Sequence, residues 1–409
     1  MRIALAAGGI VLAGTLAFTA AAVLAPPHRP PVPAAGSDGP VFRETLQDRV
    51  RRLPRDHRAW ARLGLQHIEQ ARITGDPSFY PRAEQALDTA RRLAPRDDAV
   101  LTGLAALAAA RHDFAEAVRL AGRAVAANPS GVTAHGVMAD AKTQLGDLRG
   151  AEAAVDRMLA LRPGVPAYTR ASYAAELRGD LAAARRHLHE ALADAFAPAD
   201  VAYCRHYLGE LALRSGDLAQ ARQWYGKALE ALPSFTPAMA GQARVLALSG
   251  DLGAALRRYE AVTARLPLPQ YLVEHGEVRL KAGLPPDWSL LEAQTRLARE
   301  AGVLDDLTLA EFEADHGDPA RAVRHAEAEY ARHPNLVAAD ALAWALHRAG
   351  RSREALPYAR KATATGWRNA LVHHHRAEIE RALGLRPASK ALEFNPRFDP
   401  ALPALARFS

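Results

Sequence analysis

The sequence predicts an all-α fold, a right-handed solenoid of stacked helix-turn-helix units. Pro95, Pro129 and Pro163 follow one another at intervals of 34 residues, and Pro233 and Pro267 repeat that interval. A period of this size is typical of stacked helix pairs. Of the 409 residues, 49% are hydrophobic but only 6% are aromatic. Alanine and leucine dominate the apolar set, which favours closely packed helices over strands.

A glycine–aspartate pair marks the turn between the two helices of most units. The glycine is expected to take the left-handed conformation that ends the first helix. The aspartate side chain is expected to accept backbone N–H bonds and so to begin the second helix. A small residue five positions after each glycine would lie where the two helices cross. The pairs are Gly146–Asp147, Gly179–Asp180, Gly216–Asp217, Gly250–Asp251 and Gly317–Asp318.

This frame resembles the tetratricopeptide repeat, whose unit carries W-x2-L-G-x2-Y in its first helix and A-x3-F and a closing proline in its second. Trp60, Leu63 and Gly64 match the first helix of that pattern, with His67 where tyrosine is usual. The fifth unit matches at both helices. Its matching residues are Leu208, Gly209, Ala221, Tyr225, Ala228 and Pro233.

The resemblance implies an array of about nine or ten units over residues 43–396. The frame slips at three places, and residues 397–409 are expected to form a tail that covers the exposed end, because terminal repeats need such a cap. In its overall organisation the chain is similar to exported bacterial members of the family. The three irregular segments are 73–81, 281–302 and 384–396.

The N-terminus predicts export. Arg2 precedes residues 3–25, which are apolar and uncharged, and a linker rich in proline and glycine follows over residues 26–42. This pattern is typical of a signal peptide or of an anchor. We favour a retained transmembrane anchor, because the apolar run reaches the length of about 20 residues that spans a bilayer. The protein would then be membrane-anchored with the array outside the cytoplasm, or secreted if the segment is cleaved.

No motif of a known enzyme class occurs in the chain, so we expect no catalysis and no cofactor. The single cysteine, Cys204, lies in an apolar stretch and is expected to be a small buried hydrophobe. His373, His374 and His375 are consecutive. Successive residues of a helix diverge by about 100°, so we expect no metal site there, although a metal role for these histidines stays open.

Family members usually bind ligands in a concave groove lined by the first helices. The resemblance therefore implies a protein or peptide partner and no small-molecule substrate, and tyrosine, tryptophan and arginine are frequent at such interfaces. The expected groove residues are Arg170, Tyr173, Tyr203, His206, Tyr207, Glu210, Arg214, Arg244, Trp344, His347, Arg348, His374, Glu378 and Arg381.

These observations predict a non-catalytic protein-interaction scaffold at the cell envelope. An accessory subunit of a membrane transport or envelope complex is the alternative. The net charge of +7 also permits a polyanion or nucleic-acid binder. That function is less expected, because the arginines are scattered among acidic residues along the helices and do not cluster.

Overall fold

The computed structural model describes residues 45–387 and 390–407, and the regular structure of these residues is helical throughout. The prediction of an all-α fold is therefore confirmed for this part of the chain. The predicted apolar segment 1–25 and the linker 26–42 lie outside the described residues. Within the described ranges, no helix is both long enough and apolar enough to cross a membrane.

After a short helix, α1 (Leu46–Arg52), the residues that the structure describes form ten consecutive helical hairpins, here units 1 to 10. A 3-10 turn, Pro403–Ala406, follows the last hairpin. The hairpins are α2 (His57–Thr74) with α3 (Phe79–Leu93), α4 (Asp98–Ala110) with α5 (Phe114–Ala127), α6 (Val132–Gln144) with α7 (Leu148–Leu161), α8 (Val165–Leu177) with α9 (Leu181–Asp194), α10 (Pro198–Arg214) with α11 (Leu218–Ala231), α12 (Thr236–Leu248) with α13 (Leu252–Arg265), α14 (Pro269–Lys281) with α15 (Ser289–Glu300), α16 (Leu307–His316) with α17 (Pro319–Arg332), α18 (Leu336–Arg348) with α19 (Ser352–Ala362), and α20 (Ala370–Ala382) with α21 (Ala391–Phe394).

The glycine–aspartate turns have the predicted geometry in units 3 to 6. Gly216, for example, has φ of 76°, and Asp217 accepts a 2.9 Å hydrogen bond from the backbone N of Gln220. Unit 8 is different, because Gly317 has φ of −128° and ψ of −138°. There the Glu313 carboxylate accepts from the backbone N of Asp318 at 2.8 Å. The prediction of a left-handed glycine at this turn was wrong.

The glycines inside the first helices make room for a large side chain of the second helix. A Cβ atom on Gly209 would lie 2.6 Å from the ring of Tyr225, and one on Gly241 would lie 2.5 Å from the same ring. Tyr225 is fully buried and so wedges between two neighbouring first helices. The small residue predicted at the crossing of the unit 5 helices, Ala221, is buried as well.

The first helix of each unit forms the inner layer of the array, and the second helix forms the outer layer. In unit 5, α10 has eleven buried residues whereas α11 has three. Such a division is expected when one helix packs on both neighbours and the other keeps a solvated face. In unit 10 the outer helix, α21, has only four residues.

The array coils until its two halves meet. The turn between the two helices of a unit contacts the loop or helix end that closes the fifth unit further along the chain. This contact occurs four times, for the turns of units 2 to 5. The hydrogen bonds are Leu304 N to Arg111 O at 3.1 Å, Asn335 Nδ2 to Gln144 O at 2.8 Å, Thr365 Oγ1 to Leu177 O at 2.8 Å and Asn395 Nδ2 to Leu213 O at 3.3 Å.

The interior is also packed across this coil. Leu268 and Tyr271 of unit 7 belong to the same buried cluster as Leu101 and Leu107 of unit 2. The first helices therefore surround a packed interior, which we call the channel.

Candidate binding channel

A series of buried ion pairs joins the first helices along the channel. Arg170 of α8 donates to both carboxylate oxygens of Asp140 on α6, at 2.9 and 2.6 Å. Arg214 of α10 donates to Glu176 of α8 at 2.6 Å. Each pair links two adjacent units. Together with the pairs of Arg244 they form what we call the inner ladder, which comprises Asp140, Arg170, Glu176, Glu210, Arg214, Arg244 and Glu274.

Arg244 of α12 is the centre of the inner ladder. Its Nη1 donates to Glu210 Oε1 at 2.9 Å, and its Nη2 donates to Glu274 Oε1 at 2.9 Å. Two tyrosines of the outer helices also donate hydrogen bonds to these carboxylates. Tyr225 Oη donates to Glu210 at 2.6 Å, and Tyr259 Oη donates to Glu274 at 2.9 Å. Buried charges in a protein interior need such partners.

The environment of the inner ladder changes how two of its groups titrate. Burial lowers the pKa of His206 to about 4, with Arg244 and Arg214 adding to the decrease and Glu210 opposing it. Burial alone would raise the pKa of Glu210, but Arg244, His206 and Arg214 outweigh it and lower that pKa to about 2. At neutral pH His206 is therefore neutral and Glu210 is charged.

The structure divides the expected groove residues into a buried and an accessible set. The buried set lines the closed part of the channel, and Tyr173 and Arg214 are half-buried beside it. The accessible set, which we call the mouth cluster, lies on α18 and α20. The buried residues are Arg170, Tyr203, His206, Tyr207, Glu210 and Arg244; the mouth cluster is Trp344, His347, Arg348, His374, Glu378 and Arg381.

Trp344 holds the mouth cluster together. Its ring stacks on His347 at 5.2 Å, and the Arg348 guanidinium lies 5.8 Å from the ring centroid. His374 lies 3.8 Å from Glu378. The arrangement places a half-buried tryptophan among cationic and acidic side chains, of which Arg348 and Arg381 are exposed.

The three consecutive histidines point to different surroundings. His375 is buried, pairs with Asp340 at 2.9 Å and stacks on Trp344 at 4.1 Å. His373 is buried against Phe394, whereas His374 is half-buried at the mouth. Cys204 is fully buried, and burial raises the pKa of its thiol to about 12. The thiol is therefore protonated at neutral pH.

Residues 395–407, which we call the strap, follow α21, and residues 402–405 of the strap are buried in the channel. Leu402 and Leu405 are buried in a cluster with Ala247 and Val278 of the first helices α12 and α14. The backbone N of Ala404 donates to Glu277 Oε2 at 2.9 Å. Between the strap and the turns of units 5 and 6 a cavity of only about 20 Å³ remains, close to the volume of one water molecule.

An acid pocket of Glu277, Glu311 and Asp315 receives the end of the strap. Arg407 Nε lies 3.1 Å from Glu311 Oε2, and Arg407 also pairs with Asp315. Sequence reasoning missed these residues because they hold a segment outside the repeat period. The one available signal was the presence of three carboxylates on the inner faces of two adjacent first helices.

Glu277, Asp315 and His316 place ligand atoms within 4.8 Å of one another, a spacing that a metal ion would accept. Each of these groups already has a partner. Glu277 Oε1 lies 3.0 Å from His316 Nε2, and Asp315 accepts from Trp344 Nε1 at 2.8 Å. Because the Arg407 guanidinium supplies the positive charge beside them, the donor set fits a guanidinium better than a metal ion.

Comparison with known proteins supports the repeat assignment. The tetratricopeptide repeat family model matches residues 108–172, from the end of α4 into α8. No curated protein sequence matches the chain. Several solved structures are similar to it. A thermophilic TPR protein from Thermus thermophilus is 23% identical to it. The match covers 46% of this chain and 98% of the Thermus protein, with a TM-score of 0.42.

PilW, a widely conserved type IV pilus biogenesis factor, is 19% identical and covers 55% of this chain and 96% of its own, with a TM-score of 0.40. The MamA protein is 18% identical and covers 41% and 91%, with a TM-score of 0.32. The units outside the matched window have the same hairpin construction as those inside it. Residues 108–172 are thus similar to the tetratricopeptide repeat family, and the hairpins outside this window follow the same helix-turn-helix order.

Proposed function

We propose that the protein is a non-catalytic interaction scaffold whose channel mouth binds a protein or peptide partner at the cell envelope. The observation that carries this proposal is the mouth cluster, in which Trp344 stacks on His347 beside the exposed Arg348 at the C-terminal end of α18. Aromatic and arginine side chains dominate the binding energy at many protein interfaces. The repeats supply a rigid frame for such a surface.

The site of action follows from the N-terminal sequence. Residues 1–25 anchor the protein in the membrane with the array outside the cytoplasm, or the protein is secreted if that segment is cleaved. Sequencing the N-terminus of the mature protein and extracting membranes with alkali test the two forms. An intact N-terminus in the alkali-resistant fraction supports the anchor, whereas a soluble chain whose first residue lies just after the Ala20–Ala22 patch or after Ala25 supports cleavage.

Crosslinking of the full chain in native membranes, read by mass spectrometry, tests the scaffold. We expect partner crosslinks at α18 and α20, and we expect Arg348→Glu to reduce them at least tenfold. Arg222→Glu is the matched control, because Arg222 is exposed on the outer helix α11. Equal crosslinking by the two variants, or crosslinks confined to outer helices, would contradict the proposal.

The same experiment separates the alternatives. A stoichiometric integral membrane partner would identify the protein as an accessory subunit of a membrane transport or envelope complex. A polyanion binder would need free cationic side chains, and many exposed arginines are instead paired with neighbours on their own helix. Examples are Arg119 with Glu116 and Arg351 with Glu354. We therefore expect no nucleic acid among the crosslinked partners.

A further inference from the structure

The strap makes its contacts in the manner of a bound peptide. It leaves unit 10 after α21 and has one 3-10 turn, Pro403–Ala406, as its regular structure. Three side chains dominate its contacts: Leu402 and Leu405 are buried among the first helices, and Arg407 enters the acid pocket. Their spacing is apolar-x-x-apolar-x-Arg.

The acid pocket requires a cation. Glu277 is 1% exposed and Asp315 has a side chain that is 8% exposed. Burial raises the pKa of Glu311 to about 7, with Arg407 opposing and Asp315 adding to the rise. Within the described residues, no other arginine or lysine pairs with these three carboxylates. An occupant that brings a positive charge to the same place is therefore favoured over a neutral one.

The strap makes further polar contacts and one further apolar contact, in which Phe398 is buried against Ala370 and Leu371 of α20. Besides the Ala404 amide on Glu277, Asp399 pairs with Lys281 of α14, and Asn369 Nδ2 donates to Ala406 O at 3.4 Å. The carbonyl of Leu213 also accepts from Asn395 Nδ2 at 3.3 Å, so the partners of the strap are side chains and backbone groups of the first helices and of the residues at their ends. A foreign extended segment could accept and donate the same bonds, because none of them depends on the covalent link between the strap and α21.

We propose that the strap is an exchangeable internal ligand, and that the partner of the channel is a peptide segment with the pattern apolar-x-x-apolar-x-Arg that displaces residues 402–407. This inference rests on the proposed function and names its ligand. The partner places two aliphatic side chains on α12 and α14 and a guanidinium between Glu311 and Asp315. An internal competitor weakens binding of such a partner. The apparent association constant equals the intrinsic constant multiplied by the fraction of molecules in which the strap has left the channel.

The probe is a fluorescein-labelled synthetic peptide with the sequence of residues 398–407, FDPALPALAR, titrated by anisotropy against the full chain. The full-chain variant Arg407→Gln should bind this peptide at least tenfold more tightly than the wild type, since its own strap is weakened. A peptide with its arginine replaced by glutamine should bind that variant at least tenfold more weakly. Equal, weak binding of FDPALPALAR by wild type and variant would overturn the proposal.

Arg397→Gln is the matched control, because Arg397 is an exposed arginine of the same strap, and it should leave the peptide affinity at the wild-type value. Hydrogen exchange of the wild-type chain keeps the proposal testable if Arg407→Gln does not fold. The strap amides 402–407 should exchange at least tenfold faster than the amides of α14. Exchange of the two segments at one common rate would overturn the inference.

The outcomes also separate this inference from the proposed function. A chain that crosslinks a partner through α18 and α20, while its strap exchanges as slowly as α14, is a scaffold with a permanently closed channel. In that case the proposed function stands and the exchangeable strap is wrong. The opposite outcome is tight, arginine-dependent peptide binding by the Arg407→Gln variant without crosslinks at the mouth cluster. In that case the exchangeable strap stands and the proposed function is wrong.

Discussion

Arg244 Nη2 and Glu274 Oε1 lie 2.9 Å apart in the middle of the channel, where the side chains of both residues are at most 4% exposed. This pair couples α12 to α14, and Glu210 on the other side of Arg244 couples α12 to α10. The charges of three consecutive units are therefore balanced together and not unit by unit.

Removing one member of this pair should be costly. Glu274→Gln leaves the Arg244 guanidinium buried with a single carboxylate, and we expect the free energy of unfolding to fall by about 3–5 kcal/mol. Denaturant titration followed by circular dichroism measures the change. The control is Glu354→Gln, which breaks an exposed pair with Arg351 and should cost less than about 1 kcal/mol. Similar decreases in the free energy of unfolding for both variants would show that burial of the pair does not increase its contribution to stability.

His206 should make the protein less stable in mild acid. Its pKa is about 4 in the folded chain and near 6.5 in the unfolded chain, so the unfolded state binds more protons as the pH falls through that window. Between pH 6.5 and 4 this group should remove about 3 kcal/mol of stability. His206→Phe should flatten the decline in unfolding free energy over this range.

The matched control for the pH experiment is His189→Phe, because His189 is exposed on the outer helix α9. That variant should keep the wild-type dependence of stability on pH. A His206→Phe protein that loses stability between pH 6.5 and 4 as steeply as the wild type would show that other groups cause the decline.

Two glycines of unit 5 should respond to alanine with opposite signs. A Cβ on Gly209 would lie 2.6 Å from the Tyr225 ring, so Gly209→Ala should destabilise the protein by about 1–3 kcal/mol through overpacking. A Cβ on Gly226 would meet nothing within 4 Å, and Gly226→Ala should stabilise α11 by about 0.5–1 kcal/mol. Thermal melts of the two variants should shift in opposite directions.

Asn335 tests the contact between the two halves of the coil. Its Oδ1 accepts from the backbone N of Ala338 at 2.8 Å, while its Nδ2 donates to Gln144 O at 2.8 Å. Asn335→Asp keeps the helix cap but places a carboxylate against the carbonyl, which should cost about 1–3 kcal/mol. Faster hydrogen exchange at the turn of unit 3 should accompany the loss.

Asp217→Asn is the control for that experiment, because it exchanges the same two groups at a cap residue of unit 5 whose side chain is exposed. It should change stability by less than about 0.5 kcal/mol. If Asn335→Asp behaved like this control, the bond from Asn335 to Gln144 would contribute little to closing the coil.

The sequence predicted the parts of the structure that recur with the period. The turn geometry around Gly216 and Asp217 depends on residues within a few positions of each other, and so does the burial of Ala221 at the helix crossing. Gly317 did not follow the pattern, because the Glu313 side chain satisfies the turn in another way. That exchange depends on one local side chain and leaves the hairpin intact.

The burial of the channel could not be predicted in the same way. Whether Arg170, Glu210 and Arg244 face solvent or one another depends on the curvature of the whole coil. That curvature is the sum of small rotations between neighbouring units. The strap was even less accessible to sequence reasoning. Its pair with Lys281 spans 118 residues, and a repeat pattern has no information about such a contact.

The relation between each turn and the loop five units later also restricts how this gene can change. Repeat arrays commonly lengthen or shorten by whole units, because each unit contacts only its neighbours. Here a duplication or deletion between units 3 and 7 would move every later loop out of line with its turn, and Asn335 and Thr365 would lose their acceptors together. Homologues descended from this gene are therefore expected to keep the same number of units, even where the sequences of individual helices diverge.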